Sequence, residues 1–426
     1  MNQKFSDNRS GNRWIIIFCL VFAGEIIFSL PFHVARFFRP TLLDVFGLSN
    51  TELGDVLAVY GIAAMISYFP GGPLADRFSA RKLLSISLAG TALGGVYFAQ
   101  IPGILGLSFL FGFWGVTTIL FFWAALIKAT QAWGGKLAQG RAFGILDGGR
   151  GLIAAGAASI GVILLGRFLP DSSESFTIGQ RTEALKVIIY FYTFLTFIAA
   201  LLVWFFIPDS KENASTNKNI LGIKKVLGNR LVWLQALVVV CSYCGYKGID
   251  YYSLYATDVL NLNEVSAARF VANASYIRVF AAICAGLLVD RFSATKVIRI
   301  TFMLLIMSYV ALALLSPTSH AINIIYGNLI LTFAAVYALR GVYFALLDET
   351  KVERLITGTA VGFISLIGYT PDVFFNSIAG RILDASPGPV GFQHFFMLLA
   401  GFSVLGLIAT LIMIYTNKLK IINPEF

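Results

Sequence analysis

Gly72-Pro-Leu-Ala-Asp-Arg-Phe-Ser-Ala-Arg-Lys82 returns 214 residues later as Gly286-Leu-Leu-Val-Asp-Arg-Phe-Ser-Ala-Thr-Lys296, with eight of eleven positions identical. The same shift aligns Asp44-Val-Phe-Gly-Leu48 with Asp258-Val-Leu-Asn-Leu262, with no gap between the two matches. A shift of 218 pairs Gly140-Arg-Ala-Phe-Gly144 with Gly358-Thr-Ala-Val-Gly362. Self-similarity that holds one register across a loop, an apolar stretch and another loop marks a duplicated unit.

Composition says what is duplicated. Hydrophobic residues make up 58% of the chain and charged residues only 13%. A soluble domain carries about 25% charged residues. A spanning helix needs roughly 20 mostly apolar residues. Such stretches run at 14–38, 53–75, 83–100, 104–127, 142–167 and 186–207, then at 231–256, 267–289, 297–315, 321–347, 355–381 and 391–416. The short alternating segments of a membrane barrel are absent. The expected fold class is therefore an all-α membrane protein, with about twelve transmembrane helices in two pseudo-symmetric six-helix bundles. Residues 1–207 form the first half, 208–230 a cytoplasmic linker and 231–426 the second half.

Lys and Arg are retained on the cytoplasmic side of a membrane. With the N-terminus inside, about 21 of the 32 basic residues fall in cytoplasmic segments. The expectation is a multi-pass protein of a bacterial inner membrane with both termini cytoplasmic. The net charge of +10 follows from this bias and gives no support to a nucleic-acid partner. The first apolar stretch is too long for a cleavable signal peptide and carries Glu25, His33 and Arg36. Cys241 and Cys244 form a C-x-x-C without further ligand candidates, so they read as small buried hydrophobes and no metal is expected. There is no nucleotide-binding loop, no cofactor motif and no catalytic constellation; the chain does not read as an enzyme.

The repeated Gly-x-Leu-x-Asp-Arg-Phe-Ser-Ala-x-Lys between the second and third apolar stretches of each half resembles the loop signature of the major facilitator superfamily. One departure is Ser79, where that family usually has Gly. The resemblance implies alternating access, with a solute site between two parallel six-helix halves near the bilayer midplane. It also implies that Asp76, Arg77, Asp290 and Arg291 latch the cytoplasmic side. Gly72 is expected to let two helices approach closely, and Asp76 to offer its carboxylate to a neighbouring helix N-terminus.

Ionisable residues inside apolar spans are costly and usually face a cavity or a partner. Here they are Glu25, His33, Arg36, Asp147, Arg150, Lys247, Asp250, Arg278, Arg340 and Asp372. Glu25, Ser29, His33 and Arg36 recur at spacings of four, four and three and so share one helix face. The 214-residue shift carries Ser29, His33 and Arg36 onto Tyr243, Lys247 and Asp250. His33, Lys247, Arg278 and Arg340, beside Tyr243 and Tyr246, are the candidate solute contacts, because a guanidinium makes a directional fork for a carboxylate or phosphate. Bases at these positions resemble the organic-anion and sugar-phosphate branches of the superfamily. Glu25, near the middle of its span, is the first candidate for proton coupling, with Asp250 the second. Asp147 and Arg150 read as a self-neutralised pair or as part of a cytoplasmic gate. The expected partners are a small anionic solute, protons or a counter-transported anion, and membrane lipid around a monomer.

Arg36 and Asp250 occupy equivalent positions in the two halves with opposite charges, which makes them a candidate gate pair; the alternative is local partners, such as Lys247 with Asp250 at i, i+3. Removing either partner of such a pair strands a buried charge, at about 3–5 kcal/mol. Each of Arg36→Asp and Asp250→Arg should therefore impair transport, and the double exchange should recover part of it. A double variant no better than the worse single one refutes the pairing.

Overall fold

The computed structural model describes residues 10–135, 139–169, 176–209, 220–315, 322–350 and 357–422. The part of the 208–230 linker at 210–219 and both chain ends lie outside these. Among the described residues every regular element is a helix. Ten are long and apolar enough to cross a membrane. In chain order the helices are α1 (Arg13–Phe37), α2 (Asn50–Arg77), α3 (Ala80–Phe98), α4 (Ile104–Gly134), α5 (Arg141–Phe168) and α6 (Ile178–Phe206). There follow α7 (Arg230–Asp258), α8 (Glu264–Arg291), α9 (Ala294–Leu314), α10 (Ile322–Leu347), α11 (Thr357–Gly368 continued by Pro371–Ala385) and α12 (Pro389–Thr416). α3 and α11 are the two outside the ten.

The chain forms two compact units, Met1–Gly47 with Val59–Ser215, and Leu48–Ala58 with Thr216–Phe426. Within the first, α3 packs on α6, and α1 packs on α5 and α6. Within the second, α9 packs on α12, and α7 packs on α11 and α12. Every one of these pairings recurs six helices later, so the duplication read from the loops extends to the packing.

The repeated motif works locally as a helix start. Ser79 is the N-cap of α3 and accepts from the Lys82 N–H at 3.5 Å. Ser293 caps α9 in the same way, accepting from the Lys296 N–H at 3.4 Å. A serine hydroxyl satisfies a donor that a helix start leaves open. Ser79 has φ −68° and ψ 142°, an extended backbone that needs no glycine, which accounts for the departure from the family pattern. Arg81 donates to Asp209 at 2.7 Å and lies over the Trp204 ring, tying the start of α3 to the end of α6. Hydrogen bonds from Ser79 and then Arg81 hold the Asp209 carboxyl below its usual range.

Two expectations about this loop are corrected. No described atom lies within 4 Å of where a Gly72 Cβ would sit, nor of a Gly286 Cβ. The close approach is made by Gly71, whose Cβ position would be 3.3 Å from the Leu120 carbonyl oxygen of α4. The helix face decides this, since Gly71 is buried and Gly72 exposed. Asp76 pairs with Lys128 of α4 at 3.5 Å, an exposed side-chain contact in place of a helix N-terminus.

The first turns of α2 belong to the second unit because they dock on α11. Asp384 caps α2, accepting from the Asn50 N–H at 3.1 Å and the Thr51 N–H at 2.7 Å. Arg381 makes a two-pronged pair with Asp55 at 2.8 and 3.1 Å. The backbones come so close that a Cβ on Gly54 would overlap the Asn376 carbonyl oxygen, and one on Gly380 would overlap that of Asn50. Gly54→Val should accordingly lower the unfolding temperature of the purified protein by several degrees, as overpacking does. Gly72→Val should change it little. Equal effects of the two substitutions would contradict the close approach.

Candidate functional site

Four helices pass through a π or 3-10 turn, α1, α4, α7 and α10, the first and fourth of each set of six; α8 and α11 are interrupted by plain turns at Tyr276 and at 369–370. Pro31 has no N–H to give to the α-helical ladder, and α1 widens to a π turn at Ser29–His33. α4 has a π turn at Thr117–Trp123, its hydroxyls turned back onto the chain: Thr118 donates to Trp114 O at 2.7 Å. α7 tightens to a 3-10 turn at Ile249–Tyr251 and α10 to one at Tyr343–Thr350. Breaks of this kind in helices often mark functional positions.

In the first unit the break in α1 presents a buried charged cluster. Arg150 of α5 donates from Nε to Glu25 Oε2 at 3.0 Å. His33 Nε2 lies 3.2 Å from the other carboxylate oxygen. The Arg150 guanidinium also lies over the rings of Phe28 and Trp123, at 5.6 and 5.7 Å from their centroids. Glu25 is 2% exposed, His33 1% and Arg36 3%; Asp147 is only part-buried. Arg150 thus meets the carboxylate of α1, which gives it a role other than pairing with Asp147.

In the second unit Lys247 Nζ sits between two carboxylates, Asp250 at 3.4 Å and Asp372 of α11 at 3.2 Å. Tyr243 donates to Asp372 at 3.0 Å. Around this group tyrosine rings cluster: Tyr243 is tilted against Tyr246 and Tyr369, and Tyr246 is edge-on to Tyr337. Arg340 of α10 lies 3.9 Å above the Tyr246 ring centroid and 5.7 Å from that of Tyr243. A cation over an aromatic face at this distance is attracted by the ring and keeps its N–H edges available for another ligand. Among the described residues no carboxylate lies in ion-pair distance of Arg340. Arg278, 4% exposed, sits over Tyr337 at 5.8 Å.

Residues 14–371 match the family profile described as Major Facilitator Superfamily. The chain belongs to that superfamily. It is a multi-pass membrane transporter. Its relatives include the inner membrane protein YqcE of Escherichia coli (strain K12), 29% identical over 97% of both chains. The inner membrane protein YihN of the same strain is 27% identical over 94% of this chain and 95% of its own. Among solved structures, the nucleoside transporter NupG superposes with a TM-score of 0.72 at 14% identity, covering 95% of this chain and 99% of its own. At that identity the likeness is one of fold alone.

The geometry of this superfamily member gathers the sequence candidates into two groups, Glu25 with His33 and Arg150, and Lys247, Asp250, Tyr243, Tyr246 and Arg340 with Asp372. Arg77, Asp290 and Arg291 are exposed at helix ends. Sequence reasoning missed Arg39, which is fully buried and lies one turn beyond Arg36, just past the end of the apolar stretch. It also missed Asp55, Arg381 and Asp384, which lie near span ends. Pairing across more than 300 residues leaves no local signal.

Glu25 and Arg150 are coupled charges in an apolar setting. Arg150→Ala strands the carboxylate and should destabilise the protein by about 3–5 kcal/mol. Arg150→Ala with Glu25→Gln should recover much of that loss in a thermal unfolding cycle. Strictly additive effects would show that the pair is not formed.

Proposed function

We propose that this protein is a secondary active transporter of a small organic anion, such as a carboxylate, a sugar acid, a phosphorylated metabolite or a polycarboxylate chelate, coupled to protons. One observation carries the reading. Among the described residues five bases are buried (Arg36, Arg39, Arg150, Lys247 and Arg278) against two acids, Glu25 and Asp250. An interior with more bases than acids is electropositive and attracts an anion. Adding the part-buried Arg340, Asp147 and Asp372 still leaves more bases than acids.

Arg340 supports this as the primary anion contact, since the Tyr246 face orients its fork and no described carboxylate occupies it. Lys247 already serves two carboxylates, which makes it a poorer contact. That same group supports proton coupling, because two carboxylates share one lysine there and the group holds one more acid than base. Asp372 is the more open of the two, with 14% of its side chain exposed against 4% for Asp250. We assign the proton to this pair rather than to Glu25, whose carboxylate already meets Arg150 and His33. Anion exchange without proton movement is the alternative, and a solute sensor without flux is a second. The family and the relatives in an inner membrane support a bacterial inner-membrane location.

A thermal-shift screen of the purified protein against organic acids and neutral sugars tests the proposal. Stabilisation should be confined to acids. Arg340→Ala should weaken binding of the best acid by about tenfold or more, the worth of a charged hydrogen bond. Arg340→Lys should fall between. Stabilisation by neutral sugars that survives Arg340→Ala would overturn the anion reading.

A further inference from the structure

The second unit contains a groove that neither charged cluster uses. It has a volume of about 580 Å³ and runs between α8, α9 and α10. Its floor is made of small side chains, among them Ala281, Ala285, Ala334 and Ala338, and it is almost wholly apolar. Its lining extends from Ala281 of α8 to Phe292, the residue just past the end of that helix. Ten helical steps of 1.5 Å from Ala281 to the end of α8 make that about 15 Å. The hydrocarbon core of a bilayer is about 30 Å thick, so the groove has the length of one leaflet.

Lys296 and Arg299 of α9 line the groove at its loop end. Arg299 Nε is buried without a hydrogen-bond partner among the described residues. The other charges nearby are Arg291, which lies over Phe292, the exposed Asp290, and Glu349, whose carboxylate accepts the Thr295 N–H at 3.1 Å. Neither Lys296 nor Arg299 has an ion-pair partner among the described residues. The start of α9 that carries them is on the side that the distribution of Lys and Arg marks as cytoplasmic. A leaflet-long apolar trough with two cations at its polar end matches a molecule with a hydrocarbon tail and an anionic head.

We propose that this groove binds one anionic phospholipid of the cytoplasmic leaflet, its acyl chain along α8, α9 and α10 and its phosphate at Lys296 and Arg299. Basic pockets between membrane helices are suited to such headgroups. The small alanines leave room for the chain, and Arg299 Nε gains the acceptor it lacks. Solute recognition does not enter this site, so the proposal stands apart from the anion reading.

Native mass spectrometry of the detergent-purified protein provides the test, with palmitoyl-oleoyl phosphatidylglycerol titrated against phosphatidylcholine of the same chains. Wild type should retain one phosphatidylglycerol with about thirtyfold preference, the scale expected of two cations near the membrane surface. Lys296→Gln with Arg299→Gln should bring retention to the phosphatidylcholine level. Ala334→Trp, which fills the groove and leaves both cations, should lower phosphatidylglycerol retention as well. Equal retention of the two lipids by wild type overturns the proposal, as does a loss confined to the charge variant, which would mean that headgroups bind a surface patch without the groove.

Discussion

A carboxylate at the depth of Glu25 has no bulk water to solvate it, and the protein must supply a partner. Arg150 does so from α5, His33 adds a second contact from the next turns of α1, and the rings of Phe28 and Trp123 cover the guanidinium. The same constraint shapes the second unit, where Lys247 is held between Asp250 and Asp372. Each charge inside these bundles is unfavourable alone and tolerable in company. The arrangement of helices around both clusters follows from that demand. α1 has to pack on α5, and α7 on α11, for the partners to meet.

The breaks in α1, α4, α7 and α10 belong to the same account. A regular helix satisfies its own backbone and presents side chains only at fixed angles. A π or 3-10 turn changes that angle and frees polar backbone groups that must be met locally, as Ser29 does by donating to Ile26 O at 2.6 Å. Two of the broken helices, α1 and α7, carry His33, Lys247 and Asp250 at or beside the break. Helices without a break, such as α3, α6, α9 and α12, form the packed pairs behind them.

Much of the fold was legible in the sequence because its signals are local or repeated. The recurring Phe-Ser-Ala at 78–80 and 292–294 is two helix caps, and the long apolar stretches are helices. What escaped was whatever depends on which face a residue takes. Gly71 and Gly72 are neighbours in sequence, yet only Gly71 meets α4, a distinction of about 100° around the helix axis that composition does not carry. Arg39 was missed by one residue of span length. The candidate site was legible as a set of costly charges, and Tyr243, Tyr246, Lys247 and Asp250 were among those named. The local pair of Lys247 with Asp250 was legible from its spacing of three; the pairings of Lys247 with Asp372 and of Glu25 with Arg150 were not, since each partner lies 125 residues away.

Uptake of a radiolabelled organic acid into proteoliposomes under an imposed inward proton gradient, beside its neutral amide, tests the central claim most directly. The account predicts accumulation of the acid that collapses when the gradient is dissipated, with no accumulation of the amide. Equal uptake of the amide, or binding of the acid with no flux at all, would contradict it.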